Sequence, residues 1–138
     1  MDRHFIYYKN SLGLRYCTIR YLEPSQMLII IWKGTAPEES IKEVEAGIME
    51  MITRYPCRSI VNDVQDLFNT PSKILADLTR SEWDEKVAVN SGVQFIAHIL
   101  PPHAALPAPR KENQAAPETR FFHHKMDAIE WLNWKKQE

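Results

Sequence analysis

The segment Gly92-Val93-Gln94-Phe95-Ile96-Ala97-His98-Ile99-Leu100-Pro101 limits the fold of this chain more than any other. An apolar run this short, opened by a helix-ending glycine and stopped by a proline, reads as an apolar strand. It is one beat of an alternation of strands and helices that runs from Tyr16 to the C-terminus. Such alternation specifies an α/β sheet whose inner strands are parallel. With 138 residues, 44% of them hydrophobic, the chain supports one domain with its own core and has no room for a second.

Residues 16–22 alternate, with Cys17, Ile19 and Tyr21 on one side and Thr18 and Arg20 on the other, the period-two pattern of a strand with one wet face. After the turn Glu23-Pro24-Ser25-Gln26, Met27 to Trp32 is apolar on both faces and reads as an interior strand. The two form an antiparallel hairpin. Gly34 ends the second strand, and Thr35-Ala36-Pro37-Glu38 offers a helix start with a threonine cap. The helix that follows places Ile41, Val44, Ile48, Met51, Ile52 and Tyr55 on one stripe. Gly47 lies within it at a cost of about 1 kcal/mol relative to alanine, which implies close approach to the sheet.

Pro56 stops this helix, and Arg58 to Val64 reads as the third strand. Residues 72–91 form a second helical region, with Thr79-Arg80-Ser81-Glu82 as an internal cap. Residues 93–100 are the fourth strand. Positions 101–118 hold five of the nine prolines and read as a long surface loop, functional or simply mobile. Thr119 to His124 is the fifth strand, and Met126 to Lys136 a closing helix with Ala128, Ile129 and Leu132 inward. The expected architecture is a single-domain α/β fold: a mixed five-stranded sheet with an N-terminal antiparallel hairpin and flanking helices.

Charge and motif content exclude several function classes. A formal net charge of −1 argues against a nucleic-acid binder, which needs a basic surface. The start of the chain lacks the pattern of a signal peptide, and no apolar run approaches the roughly 20 residues of a transmembrane helix. The expectation is a cytoplasmic protein. Cys17 and Cys57 have neither zinc nor redox spacing and read as buried thiols. The four glycines are scattered, so there is no phosphate-binding loop. His123 and His124 point to opposite faces of a strand, and His4 and His103 are far away in sequence. No metal and no cofactor is expected.

The order of elements resembles the SpoIIAA-like group, the STAS/SEC14 domain proteins related to the STAS anti-sigma-factor antagonists. The resemblance is carried by Ile31-Trp32-Lys33-Gly34, Ile60-Val61-Asn62-Asp63, Glu82-Trp83, Gly92 to Pro101 and Asp127-Ala128-Ile129-Glu130-Trp131-Leu132, and covers roughly residues 16–134. It implies a regulatory domain that binds a partner. STAS proteins carry an Asp-Ser-Ser-Gly-type sequence whose serine is phosphorylated by a partner kinase. The corresponding stretch here, Asp66 to Lys73, offers Thr70 and Ser72 as its only hydroxyls and lacks the glycine.

Ligands of open α/β sheets favour the crevice beyond the C-terminal ends of the parallel strands. That end receives Asn62, Asp63 and Asp66 from the third strand and its loop, Thr70 and Ser72 before the second helix, and His98 and His103 from the fourth. Asp63, Asp66, Thr70, Ser72, His98 and His103 are therefore the binding or phosphorylation candidates; no residue is assigned a catalytic role. Helix capping accounts for Thr70 and Ser72 without function, and a hydrogen-bonded core imidazole does the same for His98. Trp131 and Trp134, three apart on the last helix with Lys135 and Lys136 following, are the interface candidates: one packs against the sheet, and the other, where exposed beside the lysines, anchors a partner or a second copy.

The leading expectation is a non-enzymatic STAS-like binding or regulatory domain that recognises an unknown protein partner or small ligand at this crevice and forms a homodimer. One alternative is a carrier of a small apolar or lipid-like molecule beneath the loop 101–118. Another is a hydrolase or transferase that uses Asp63 and His98, which requires His98 to be reachable from solvent.

Overall fold

Strands apolar on both faces must be covered on both sides, and the sheet is built around two of them. The computed structural model describes residues 4–35, 38–67, 79, 92–111, 114 and 116–136. Six strands, Phe5–Lys9 (β1), Arg15–Leu22 (β2), Met27–Gly34 (β3), Ser59–Leu67 (β4), Phe95–Ile99 (β5) and Glu118–Phe122 (β6), form one mixed sheet in sequence order. β1, β2 and β3 pair antiparallel, and β3 to β6 are parallel. Two helices are described, Ile41–Arg54 (α1) and Lys125–Lys136 (α2).

The α/β class, the N-terminal hairpin and the parallel interior agree with the sequence reading, but the strand count of five is corrected to six. The additional strand is β1, whose residues Phe5-Ile6-Tyr7-Tyr8-Lys9 are too few and too aromatic to separate an inward from an outward face by hydrophobicity alone. Its pairing with β2 identifies them: Ile6 lies opposite Ile19 and Tyr8 opposite Cys17, and both pack against the core beneath α1.

That first core joins Ile19, Leu28, Ile30, Trp32, Ile60 and Ile96 to the stripe of α1, where Ile41, Val44, Ile48, Met51 and Ile52 are buried. The second core lies on the opposite face, where Ala128, Trp131 and Leu132 of α2 cover Met27, Ile29, Val61, Ala97 and Ile99. Each isoleucine buried here contributes about 2 kcal/mol. Arg58, just before β4, ties the end of α2 down: its guanidinium donates to the carbonyls of Lys135 (3.4 Å) and Lys136 (3.5 Å) and to Gln94 Oε1 (3.1 Å). A cation at a helix C-terminus also opposes the negative end of the helix dipole.

The expected start of the first helix is shifted. A 3₁₀ turn at Glu38–Ser40 precedes the α-helix, which begins at Ile41 with Ser40 before it and no side-chain cap. The expected helical region 72–91 lies outside the described residues except for Thr79. No helix among the described residues is long and apolar enough to cross a membrane.

Gly47 faces the sheet, as its place in the stripe implies. A Cβ there would meet the Tyr8 hydroxyl, with Tyr8 Cζ 3.1 Å and Ile19 Cδ1 3.5 Å away. Gly47→Ala gains about 1 kcal/mol of helix propensity and loses about 2 kcal/mol to overpacking. The expected net loss of about 1 kcal/mol is measurable by urea denaturation, and Tyr8→Phe, which removes the obstructing oxygen, recovers most of it.

Candidate functional site

The parallel register decides which candidate side chains meet. Asn62 pairs with His98 and Asp63 with Ile99, and successive residues of a strand face opposite ways. His98 therefore enters the core beneath α1, whereas Asp63 points to the other face. Their use as a joint acid/base or nucleophilic pair is overturned by this geometry.

His98 is 0% exposed. Trp32 Nε1 donates to Asn62 Oδ1 at 2.9 Å, and the Asn62 amide lies 3.1 Å from His98 Nδ1. Because the indole can only donate, Asn62 accepts through its oxygen and donates through its nitrogen. This leaves His98 Nδ1 as an acceptor and places the ring proton on Nε2. The imidazole also stacks on Phe121 with centroids 5.2 Å apart. Trp32, Asn62 and His98 thus form a polar chain across β3, β4 and β5, enclosed by apolar side chains, where His98 cannot meet a solvent-borne substrate.

Asp63 is 3% exposed, and both its oxygens are taken by Gln65, from the backbone N–H at 3.1 Å and from Nε2 at 3.1 Å. The carboxylate holds the irregular end of β4, where the register with β3 shifts between Ile31 and Lys33. Asp66 and His103 are exposed. Thr70 and Ser72, and the capping alternative proposed for them, lie outside the described residues. Of the six candidates, then, two are buried on opposite faces, two are exposed and two are not described.

The described part of the proline-rich loop is tied to its surroundings. Ala104 packs against the first core, and His123 Nε2 donates to its carbonyl at 2.8 Å. Arg110 and Thr119 exchange two backbone hydrogen bonds of 2.9 and 2.8 Å, an antiparallel bridge along the outer edge of β6. Lys111 Nζ donates to the carbonyl of Ala116, which is buried.

An open groove of about 600 Å³ lies at the other end of the sheet, lined among others by Gln26, Arg54, Tyr55, Cys57, Arg58 and Gln94. No motif marks it in the sequence. The only signal is the pair Arg54 and Arg58 flanking the proline between α1 and β4. Of the two interface candidates, Trp131 is the one that packs, buried in the second core against Phe95 and Phe122, and it is thereby removed as an interface residue. Trp134 is 57% exposed, with Lys135 Nζ 5.3 Å from its ring.

Cys17 and Cys57 are free and buried. Burial pushes the Cys57 thiol up to about 12 and raises Cys17 as well, so neither is a nucleophile at neutral pH. Among the described residues, no three His, Cys, Asp or Glu side chains are grouped as a metal site requires. Neither a protein-family model nor a curated protein matches the sequence.

Asn62→Ala leaves the Trp32 indole without its acceptor and removes the donor to His98; two buried groups losing partners cost about 3 kcal/mol, to be read from the urea midpoint. The thiols set a second expectation. A thiol raised in the folded state ionises first in the unfolded chain, from about 9.0, while folded Cys57 stays protonated to about 12. The unfolded state then binds fewer protons, so stability falls as pH rises through this window. Denaturation between pH 9 and pH 11 should show this decline, with a shallower slope for Cys57→Ala.

Proposed function

We propose that this chain is a binding domain of the SpoIIAA-like, STAS-related kind, recognising a protein partner or small ligand at the crevice beyond the C-terminal ends of the parallel strands. One observation carries the reading. The polar groups nearest that end are consumed internally, Asn62 and His98 on one face and Asp63 on the other, while Asp66 and His103 are exposed. An exposed carboxylate and imidazole without a convergent reactive set serve recognition. A hairpin followed by parallel strands in sequence order supports the STAS relationship, whose warrant is analogy of fold.

On this reading the domain works in the cytoplasm. Thr70 and Ser72 follow Asp66 in the chain and are the residues at which a partner kinase would switch binding. Trp134 supplies an exposed aromatic beside Lys135, the kind of anchor that a contact between two copies uses.

The test is native mass spectrometry of untagged protein isolated from its own cells. A co-purifying partner or ligand, or a phosphoryl adduct, is expected on the wild-type chain. The variants Asp66→Ala with His103→Ala, and Thr70→Asp with Ser72→Asp, should each change capture by about tenfold or more. Capture unaffected by both pairs removes the crevice from the mechanism.

A further inference from the structure

The turn Asn10 to Leu14, between β1 and β2, presents two leucines to solvent: Leu12 is 82% and Leu14 62% exposed. A single exposed leucine needs no explanation. Two on one tightly organised turn do. Asn10 Oδ1 accepts from the N–H groups of Leu12 (2.9 Å) and Leu14 (3.0 Å), and its carbonyl accepts from Gly13 at 3.0 Å. Asn10 N in turn donates to the Leu14 carbonyl at 2.9 Å, and Gly13, at φ 82°, supplies the left-handed residue that closes the loop. Three consecutive amides at the tip therefore carry internal partners. That removes much of the cost of moving backbone into an apolar medium, where an unsatisfied N–H is expensive.

Immediately behind the tip stands a cationic collar. Lys9 and Arg15 are direct partners across β1 and β2, and Lys33 projects from the same end of β3. With Arg20 they make four exposed cations on three strands that contain no aspartate or glutamate, although the whole chain has a net charge of −1. Asp66 is the one acid opposite in register, across from Lys33. The described ion pairs, Arg54 with Glu50 and Arg120 and Lys135 with Glu118, include none of the four. Like charges directly opposite on a ladder destabilise it, so the pairing of Lys9 with Arg15 costs the fold unless an anionic surface meets it. The Arg15 guanidinium is held in place 3.4 Å from the centroid of the Tyr7 ring.

We propose that this end of the sheet docks on an anionic lipid bilayer. Leu12 and Leu14 enter the boundary between headgroups and acyl chains, and Lys9, Arg15 and Lys33 meet lipid phosphates. The strand rise of about 3.3 Å per residue keeps the collar at headgroup depth when the tip is inserted. A nucleic acid would use the cations and leave both leucines in water. A second copy docked symmetrically on this tip would bring Lys9 and Arg15 against their own equivalents.

The experiment is co-sedimentation of the full chain with vesicles of phosphatidylcholine alone and of phosphatidylcholine with one-third phosphatidylglycerol. Binding is expected to the anionic vesicles only, and to fall steeply as salt screens the surface. Each cation near such a surface is worth about fivefold in partitioning, so Lys9→Gln with Arg15→Gln should lose about 25-fold. Leu12→Ser with Leu14→Ser should lose about tenfold or more. Leu12→Trp should show a blue shift of its emission on adding anionic vesicles, beyond any change in the parent chain. Absence of binding to anionic vesicles overturns the proposal, as does binding indifferent to the leucines. Self-association without vesicles that is abolished by Leu12→Ser with Leu14→Ser also overturns it and makes the tip an interface between copies. Tighter binding to single-stranded DNA than to vesicles, lost with the cations and indifferent to the leucines, assigns the surface to nucleic acid instead.

Discussion

Apolar side chains on both faces of β3 and β4 are the constraint on which the rest of the structure depends. One helical layer cannot bury Ile30 and Ile60 on one side and Ile29 and Val61 on the other. The chain meets this requirement from two directions. α1 follows β3 and covers the first face, whereas α2 comes from the far end of the sequence and covers the second. Arg58, just before β4, holds the carbonyls of Lys135 and Lys136, so a side chain at the entry to a central strand fixes the end of α2.

The central strands also carry polar residues, and register determines what those can do. The pairing of Asn62 with His98, and the position of Trp32 two residues beyond Ile30, the partner of Asn62 on β3, align three polar side chains into a hydrogen-bonded chain inside the first core. Such a chain specifies a unique packing, because a one-residue slip would move His98 to the other face and leave the indole N–H without its acceptor. The same register separates His98 from Asp63. Polar atoms that look like reactive partners in sequence are structural elements of two different faces.

Covering two faces at the centre leaves the outer part of the sheet less enclosed. Among the described residues α2 packs on β4, β5 and β6, and the side chains of β1 and β2 on its face remain accessible at Tyr7, Arg15 and Arg20. Positive charge concentrates there because that surface has no core to fill. The near-neutral total hides this segregation, since β1, β2 and β3 carry no acidic residue and several of the described acids lie on α1 at Glu43, Glu45 and Glu50. Net charge therefore describes the solution behaviour of the chain better than its local surfaces.

Much of this architecture was legible in the residues themselves. Met27 to Trp32 and Phe95 to Ile99 announce interior strands, the stripe from Ile41 to Ile52 announces a helix that packs on one side, and Gly47 announces close approach. Periodicity and turn chemistry are local properties, and they determined the α/β class, the hairpin and the burial of His98 beside Ile96. β1 escaped because Tyr7 and Tyr8 are chemically alike yet face opposite ways, a difference made by pairing with β2. Tertiary structure alone decided that Trp131 is buried and Trp134 exposed, that Asp63 and His98 stand on opposite faces, and that Lys9 lies directly across from Arg15. Each of these depends on which strand or helix lies alongside, and register and docking are set by contacts between residues far apart in the chain.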